Sequence, residues 1–335
     1  MFSQYVSNFS DETPELLDLL AGTPEMRRLS DVGMHCGCEY TNTPLYRKSI
    51  HPYSRLMHSI GVAKIIWRFT KDAKQAAAGL LHDIATPVFA HTIDFMNNDH
   101  LTQESTEDRT RAFIEDSEAI VPLLGRYGIK IDDVADYHKY PIADNDTPML
   151  SADRLEYTLG NGFSVYHVGK SLIQEIYNDL IVAENESGDE ELCFRSPRFA
   201  KEYAEISLRN SHFYVSDLDR FSMQYLADLV RRALEVGALG YDDLYSTETR
   251  VIGKMRTHDE ISDAWESYTK ISSVASSNEK PPVGYSVRVD AKKRYIDPLV
   301  FTENGVKRVS ETDAGIRARI ESFLKLDFGR WLHIG

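Results

Sequence analysis

Residues 71–89, KDAKQAAAGLLHDIATPVF, decide how the fold of this chain is interpreted. The Ala and Leu content of this segment predicts a buried helix, which Pro87 limits at its end. The segment before it, HSIGVAKIIWRF at 58–69, predicts a second helix, because His58, Val62, Ile65 and Phe69 recur at helical spacing. The sequence therefore carries the adjacent residues His82 and Asp83 in a helical setting.

The same helical pattern continues to about residue 270. Four further segments combine cap-type starts with helical spacing, and these are TQESTEDRTRAFIEDSE at 102–118, LSADRLEYTLGN at 150–161, SPRFAKEYAEISLRN at 196–210 and DRFSMQYLADLVRRALEVGAL at 219–239. No strand alternation interrupts them, and the acidic stretch 183–191 is interpreted as an exposed loop. We therefore predict an all-α helical bundle over residues 1–270, without the βαβ rhythm of a dinucleotide-binding fold.

The composition changes at 272–284, SSVASSNEKPPVG, which predicts a linker or long loop. Short strands are predicted at 285–290, 294–301 and 306–311, with a turn at Asn304-Gly305. A terminal amphipathic helix follows, with a packing face formed by Ile316, Ile320, Phe323 and Leu324. Residues 271–335 are thus predicted to form a small β-strand and helix appendage.

Composition excludes several functional classes. The 335 residues are 42% hydrophobic and 27% charged, as in an ordinary globular protein. A net charge of −14 argues against broad binding to nucleic acid or to an anionic membrane. The sequence has neither an apolar run of membrane-spanning length nor a leader pattern at its start, so we expect a cytoplasmic protein. Cys36, Cys38 and Cys193 cannot form a closed disulfide set, and the first two are expected to be buried thiols.

The His82-Asp83 pair suits a metal ion. An imidazole nitrogen next to a carboxylate oxygen is typical of sites for divalent ions that polarise phosphate. Two further candidate ligands lie in helical settings, His58 upstream and Asp153 downstream. Alone, the His82-Asp83 pair is more consistent with a polar pair at a helix end than with a metal site, and His58 alone is more consistent with a buried, paired histidine.

Together, their order resembles that of the HD-domain metal-dependent phosphohydrolases, in particular the deoxynucleoside triphosphate triphosphohydrolases. The motifs that carry the resemblance are RLMHSIGV at 55–62, HDIATPVFAHTID at 82–94 and DRLEY at 153–157. The resemblance covers roughly residues 25–170 with ordered motifs, and the helices to about 255 more loosely. It implies an HD-domain helical bundle with one divalent ion, of the Mn, Fe, Ni, Mg, Co or Zn type. The implied ligands are His58, His82, Asp83 and Asp153.

The resemblance also implies substrate-binding residues. Arg55 precedes His58 by close to one helical turn, and Arg55 and Arg154 are expected to bind phosphate oxygens. Tyr157 is expected against the sugar, together with Asn161, which stands where the related enzymes carry an Asp.

For proton transfer, the resemblance implies His91 and Asp94 as catalytic residues. The chain departs from the family here, because Tyr53, Thr86 and Thr106 stand where the related enzymes have imidazoles. A carboxylate on the following helix, Glu107, with Glu104 beside it, is therefore the candidate general base. Asp31 and Val32 replace the pair that discriminates against ribose, so a preference for deoxyribose does not carry over.

These observations predict a metal-dependent phosphohydrolase that acts on nucleotides, with deoxynucleoside triphosphates as the first choice. Two alternatives remain open at this point. One is an HD-type 5′-nucleotidase or phosphomonoesterase, and the other is a nucleotide-binding regulator with reduced catalysis. A homo-oligomer is also predicted, since the related enzymes form oligomers and the C-terminal strands and helix offer a surface.

Overall fold

The structure is a computed structural model that describes residues 9, 12–47, 52–99, 101 and 109–335. Its described part is mostly helical. Seventeen α-helices are present there: α1 Glu15–Ala21, α2 Pro24–Arg28, α3 Pro44–Arg47, α4 Arg55–Thr70, α5 Ala73–Leu81, α6 Thr92–Met96, α7 Thr110–Glu115, α8 Ile120–Arg126, α9 Ile131–Val134, α10 Ala152–Tyr166, α11 Lys170–Asn178, α12 Pro197–Tyr214, α13 Asp217–Glu235, α14 Glu248–Thr257, α15 Ser262–Thr269, α16 Val309–Thr312 and α17 Ala314–Leu324. Short 3₁₀ helices lie at Leu29–Asp31, Cys38–Tyr40 and Tyr241–Tyr245.

The two central helices, α4 and α5, confirm the helices predicted around residues 58–85. Ser54 caps α4 by accepting the Met57 N–H, and Asp72 caps α5 by accepting the Lys74 N–H at 2.8 Å. Lys71 adopts a left-handed φ of 52° between them and ends α4. A Cβ at position 79 would lie 2.2 Å from Ile66 Cδ1, so Gly79 permits the close packing of α5 on α4.

The prediction of an all-α fold over residues 1–270 is wrong in one segment. Leu180–Glu184 (β1) and Glu190–Phe194 (β2) form an antiparallel hairpin where an exposed acidic loop was expected. Leu192, Cys193 and Phe194 are buried, and the side chain of Glu191 is buried too, paired with Arg308 at 2.6 Å. Burial of one end of the hairpin therefore offsets the weak strand signal of its acidic sequence.

The hairpin belongs to a sheet that includes the C-terminal region. Strands β5 (Leu299–Thr302) and β6 (Gly305–Arg308) extend it in the order β1-β2-β5-β6, with β2 and β5 parallel. A second sheet has the order β3-β7-β4, formed by Val274–Ser277, Trp331–Ile334 and Ser286–Val287. Each of the three strands predicted between 285 and 311 overlaps an observed strand only in part, and residues 309–311 lie in α16 instead. The segment predicted as a linker contains β3.

The C-terminal region packs on the helical body. Ile296, Val300 and Val309 share a hydrophobic core with α4, α5 and α10. On α17, Ile316, Ile320 and Phe323 are buried as expected, whereas Leu324 is 41% exposed. The domain boundary at residue 270 stays a prediction. Among the described residues, no helix has the length and apolarity that crossing a membrane requires.

Candidate functional site

A cavity of about 400 Å³ opens beside the N-terminal half of α4. All four predicted metal ligands line it. His58 lies in the first turns of α4, and His82 and Asp83 directly follow α5. Asp153 lies in the first turn of α10, whose N-cap Ser151 accepts the Arg154 N–H. Three separate elements therefore bring these side chains to one place.

The donor atoms of the four side chains converge. His58 Nε2 lies 2.9 Å from Asp153 Oδ1 and 3.3 Å from His82 Nε2. His82 Nε2 lies 3.5 Å from Asp83 Oδ2 and 3.6 Å from Asp153 Oδ1. The widest of these separations is 3.9 Å, between His58 Nε2 and Asp83 Oδ2. Ligands about 2.1 Å from an octahedral ion are separated by about 3.0 Å when adjacent and about 4.2 Å when opposite, so these donors fit a single ion.

The other ring nitrogens of both histidines face acceptors. His58 Nδ1 lies 2.5 Å from Glu156 Oε2, and His82 Nδ1 lies 2.7 Å from the Gly79 carbonyl oxygen. Each Nδ1 is therefore placed to donate its proton to an acceptor, and each Nε2 faces the other Nε2 and two carboxylates. A metal ion at this point would take the place of the proton that His58 Nε2 otherwise shares with Asp153. A His-His-Asp group of this kind could hold a metal ion.

The electrostatics favour positive charge at the same point. Burial lowers the pKa of His58, but the Glu156 and Asp153 carboxylates outweigh it and raise this pKa to about 10. Burial raises the pKa of Asp153, yet its contact with His58 holds it at about 2. For Asp83, the charges of Arg55 and the two histidines overcome burial and hold the pKa far below its usual range.

Glu156 is positioned by two glycines. It is fully buried and also accepts the Tyr53 hydroxyl at 2.5 Å. A Cβ at position 61 would lie 2.6 Å from Glu156 Cγ, and one at position 160 would lie 2.2 Å from the Tyr53 hydroxyl oxygen. Gly61 and Gly160 therefore leave room for the chain Tyr53–Glu156–His58, in which Tyr53 occupies a position where the related family has histidine.

Arg55 and Thr86 both hold Asp83. Arg55 lies 3.1 Å from Asp83 Oδ2, and the Thr86 hydroxyl donates to Asp83 Oδ1 at 2.6 Å. Arg55 borders the cavity but directs its guanidinium at the carboxylate rather than into open space. Thr86, a departure from the family motif, therefore fixes the carboxylate that is the candidate metal ligand.

His91 and Asp94 form a second dyad at the cavity. His91 Nδ1 lies 2.8 Å from Asp94 Oδ2, and Asp94 is fully buried. Burial lowers the pKa of His91 below its usual value, although Asp94 opposes this. A neutral ring that donates Nδ1–H to Asp94 keeps Nε2 as an acceptor. The preceding residues Phe89 and Ala90 have φ values of 60° and 42°, and Glu248 accepts the Phe89 N–H, which fixes this turn.

The predicted substrate residues on α10 also line the cavity. Arg154 donates to Asn145 Oδ1 and to the Met149 carbonyl oxygen, both at 2.9 Å. Asn161 Nδ2 donates to the Tyr214 hydroxyl at 2.7 Å, while its Oδ1 is buried without a hydrogen-bond partner in the described part of the chain. An unpartnered acceptor beside a cavity suits a ligand hydroxyl or amine.

Several cavity residues were not predicted from sequence. Tyr137 stacks on His82 with ring centroids 4.7 Å apart, and His138 lies beside Asp144 at 3.5 Å. Lys292 and Arg294 reach the same cavity from the C-terminal region. For Lys292 and Arg294, the basic run AKKR at 291–294 is the only sequence feature that could have indicated a role. Glu107 and Glu104, the predicted base candidates, and Thr106 lie outside the described residues.

Comparison with known proteins extends this description. No protein-family model matches the chain. It is 24% identical to the uncharacterized protein YdhJ of Bacillus subtilis over 254 residues, 75% of each protein. It is also 24% identical to the metal-dependent phosphohydrolase cns2 of Cordyceps militaris over 168 residues, which are 50% of this chain and 46% of that protein.

Solved structures share the fold. A hypothetical protein from Aquifex aeolicus superposes with a TM-score of 0.66 at 17% identity, covering 96% of this chain and 93% of that one. A phosphohydrolase from Bacteroides thetaiotaomicron superposes with a TM-score of 0.64 at 16% identity, covering 97% of both chains. The mostly helical architecture described above is therefore one that these proteins have in common.

Proposed function

We propose that this protein is an HD-type metal-dependent phosphohydrolase that acts on nucleotides, with deoxynucleoside triphosphates as first choice. The observation that carries the proposal is the convergence of two Nε2 atoms and two carboxylates on one point, with each Nδ1 atom facing an acceptor on the other side of its ring. The similarity to cns2, which is named a metal-dependent phosphohydrolase, and the fold shared with a bacterial phosphohydrolase support it.

His58, His82, Asp83 and Asp153 would hold a divalent ion, which would supply Lewis acidity toward a phosphoryl oxygen. Arg55 and Thr86 keep the Asp83 carboxylate in place for this purpose. His91 Nδ1–H donates a hydrogen bond to Asp94, so Nε2 is the atom that accepts or returns a proton during hydrolysis.

The remaining cavity suits a nucleotide. Its volume of about 400 Å³ lies within the range of small-molecule sites, roughly 300–1,000 Å³. Asn161 Oδ1 offers an acceptor for a sugar hydroxyl, and Tyr157 and Tyr214, with ring centroids 6.5 Å apart, border the same region. Arg154 provides positive charge close to Asp153 for the phosphates.

Product analysis tests the proposal. The protein is loaded separately with manganese, iron, cobalt, nickel, zinc and magnesium and incubated with ribo- and deoxyribonucleoside mono-, di- and triphosphates. Release of tripolyphosphate identifies a triphosphohydrolase, and orthophosphate from monophosphates alone identifies the phosphomonoesterase alternative. Asp263→Ala, at an exposed carboxylate on α15, is the control for Asp83→Ala. Nucleotide binding without any released phosphate product, for every ion, would leave only the regulatory alternative.

A further inference from the structure

Residues 291–294, Ala-Lys-Lys-Arg, form one border of the cavity. Ala291, Lys292 and Arg294 line it, whereas the side chain of Lys293 turns elsewhere. Lys293 Nζ donates to the carbonyl oxygens of Leu324 at 2.7 Å and Leu326 at 2.6 Å, at the end of α17. Lys292 and Arg294 therefore face the cavity, whereas Lys293 faces the end of α17.

The segment 289–297 is held at both ends. Arg220, which is 2% exposed, donates to the Val289 carbonyl oxygen. At the other end, Ile296 is buried in the main core and the Asp297 N–H donates to the Pro148 carbonyl oxygen at 2.9 Å. Because these anchors belong to the core, the positions of Lys292 and Arg294 are set by the fold rather than by a flexible tail.

Two more cationic side chains line the cavity in the part of the chain that the structure describes. Arg55 is paired with Asp83, and Arg154 donates to Asn145 and to the Met149 carbonyl oxygen. A ligand with several phosphates carries more negative charge than these two side chains balance.

The charges at the cavity show how much the segment contributes. Five carboxylates line it in the described part of the chain: Asp83, Asp144, Asp146, Asp153 and Asp219. Burial raises the pKa of Asp219 to about 7. With Asp219 protonated and the histidines neutral, the other four carboxylates balance the charge of one divalent ion, Arg55 and Arg154. Lys292 and Arg294 then leave a net positive charge at the cavity, which attracts a polyphosphate.

Arg294 lies within electrostatic reach of both functional regions. Burial is the main cause of the lowered pKa of His91 and of the raised pKa of Tyr157. The charge of Arg294 acts on both groups as well, favouring neutral His91 and ionised Tyr157. This side chain is therefore close to the proposed proton-transfer dyad and to the α10 residues.

We propose that Lys292 and Arg294 bind the distal phosphates of the substrate, so that the cavity selects nucleoside polyphosphates over monophosphates. This inference rests on the proposed function, because it takes the four-donor site as the position of the reacting phosphate. The two side chains are binding residues in this proposal, and the segment between β4 and β5 is the element that determines specificity for phosphate-chain length.

Calorimetry with two ligands tests the inference. A deoxynucleoside triphosphate and the monophosphate of the same nucleoside are titrated with calcium in excess, and chromatography confirms that both stay intact. We expect Lys292→Gln combined with Arg294→Gln to weaken triphosphate binding at least about tenfold and monophosphate binding less than about threefold. The matched control is Arg256→Gln combined with Lys325→Gln, which removes the same charge from exposed positions outside the cavity.

The outcomes separate this inference from the proposed function. Triphosphate affinity equal to that of the control, or an equal loss for both ligands, would overturn the assignment of Lys292 and Arg294. Metal content and circular dichroism of the variants, unchanged from wild type, show that a loss reflects the missing charges. Wild-type protein that binds triphosphate through these residues but releases no product with any ion would refute the proposed function and leave this inference standing.

Discussion

Glu156 provides the sharpest test of the site, because it contacts His58 from the side away from the converging donors and is not among the residues that line the cavity. In Glu156→Gln, the side chain keeps its shape and keeps an oxygen for the His58 Nδ1 proton. The buried negative charge 2.5 Å from that nitrogen is lost. We expect the variant to bind divalent ions more weakly while the helical fold is retained.

The magnitude follows from the geometry. The 2.5 Å contact plus about 2.2 Å across the imidazole places the carboxylate charge about 4.7 Å from His58 Nε2. One unit charge at Nε2 then interacts with it by about 0.9 kcal/mol at a dielectric constant of 80 and about 3.5 kcal/mol at 20. Loss of a supporting partner of a histidine ligand lowers metal affinity by about 10–100-fold, or about 1.4–2.7 kcal/mol, within the same interval.

The assay is competition with a chromophoric chelator for manganese or zinc at fixed pH. Glu118→Gln, at an exposed position outside the site, serves as the matched control. Gly61→Ala approaches the same contact from the other side, since its Cβ would lie 2.6 Å from Glu156 Oε1. Wild-type metal affinity in both Glu156→Gln and Gly61→Ala would refute the role given to Glu156.

Four further predictions follow from the same structure. Asp83→Ala should lose metal and activity together with little change in helix content, and full metal occupancy by elemental analysis would contradict the site. Asp94→Asn should keep its metal but lower kcat by about 100-fold or more, because His91 loses the carboxylate that orients it; unchanged kcat would exclude His91 as the proton-transfer group. Ionisation of Glu39 should destabilise the fold as pH rises. Burial and the Glu248 charge raise the pKa of Glu39 to about 8, so the stability that the protonated carboxyl contributes near pH 4 is lost as pH rises through about 8. Glu39→Gln should therefore raise Tm by about 2 °C or more at pH 9 and less at pH 5, and an equal change at both pH values would show that the carboxyl does not titrate there. Self-association stays a prediction, which a monomer in light scattering at micromolar concentration, with and without nucleotide, would contradict.

The sequence alone was sufficient to predict the helices whose spacing and N-caps lie within a few residues of one another. Helical spacing around His58, a capped Ala-rich helix before His82, and Ser151 before Asp153 are all readable within a few residues. The order of the motifs then suggested that distant helices meet. The structure brings the four side chains together at one cavity.

The β1-β2 hairpin shows where local reasoning fails. Its sequence between 183 and 191 is dominated by acids, which predict a solvated loop. Its strands are stabilised by partners remote in sequence, since β2 pairs with β5 and Glu191 pairs with Arg308. A pattern within the segment cannot contain that information.

Arg55, Lys292 and Arg294 illustrate the same limit within the site. Spacing on α4 placed Arg55 near His58 but did not reveal that Asp83 would hold its guanidinium. Lys292 and Arg294 lie more than 130 residues after the last motif. Their approach to the cavity depends on anchors at Val289, Ile296 and Asp297, which are tertiary contacts.

The segment 289–297 also has an evolutionary consequence. The four donors come from α4, the residues that follow α5, and α10, whereas the cationic border comes from one short stretch after β4. Lys293 and the anchored ends hold the backbone of that stretch in place. Under the role proposed for Lys292 and Arg294, homologues with the same four donors would change the charge of the substrate that they accept by substitutions at these two positions alone.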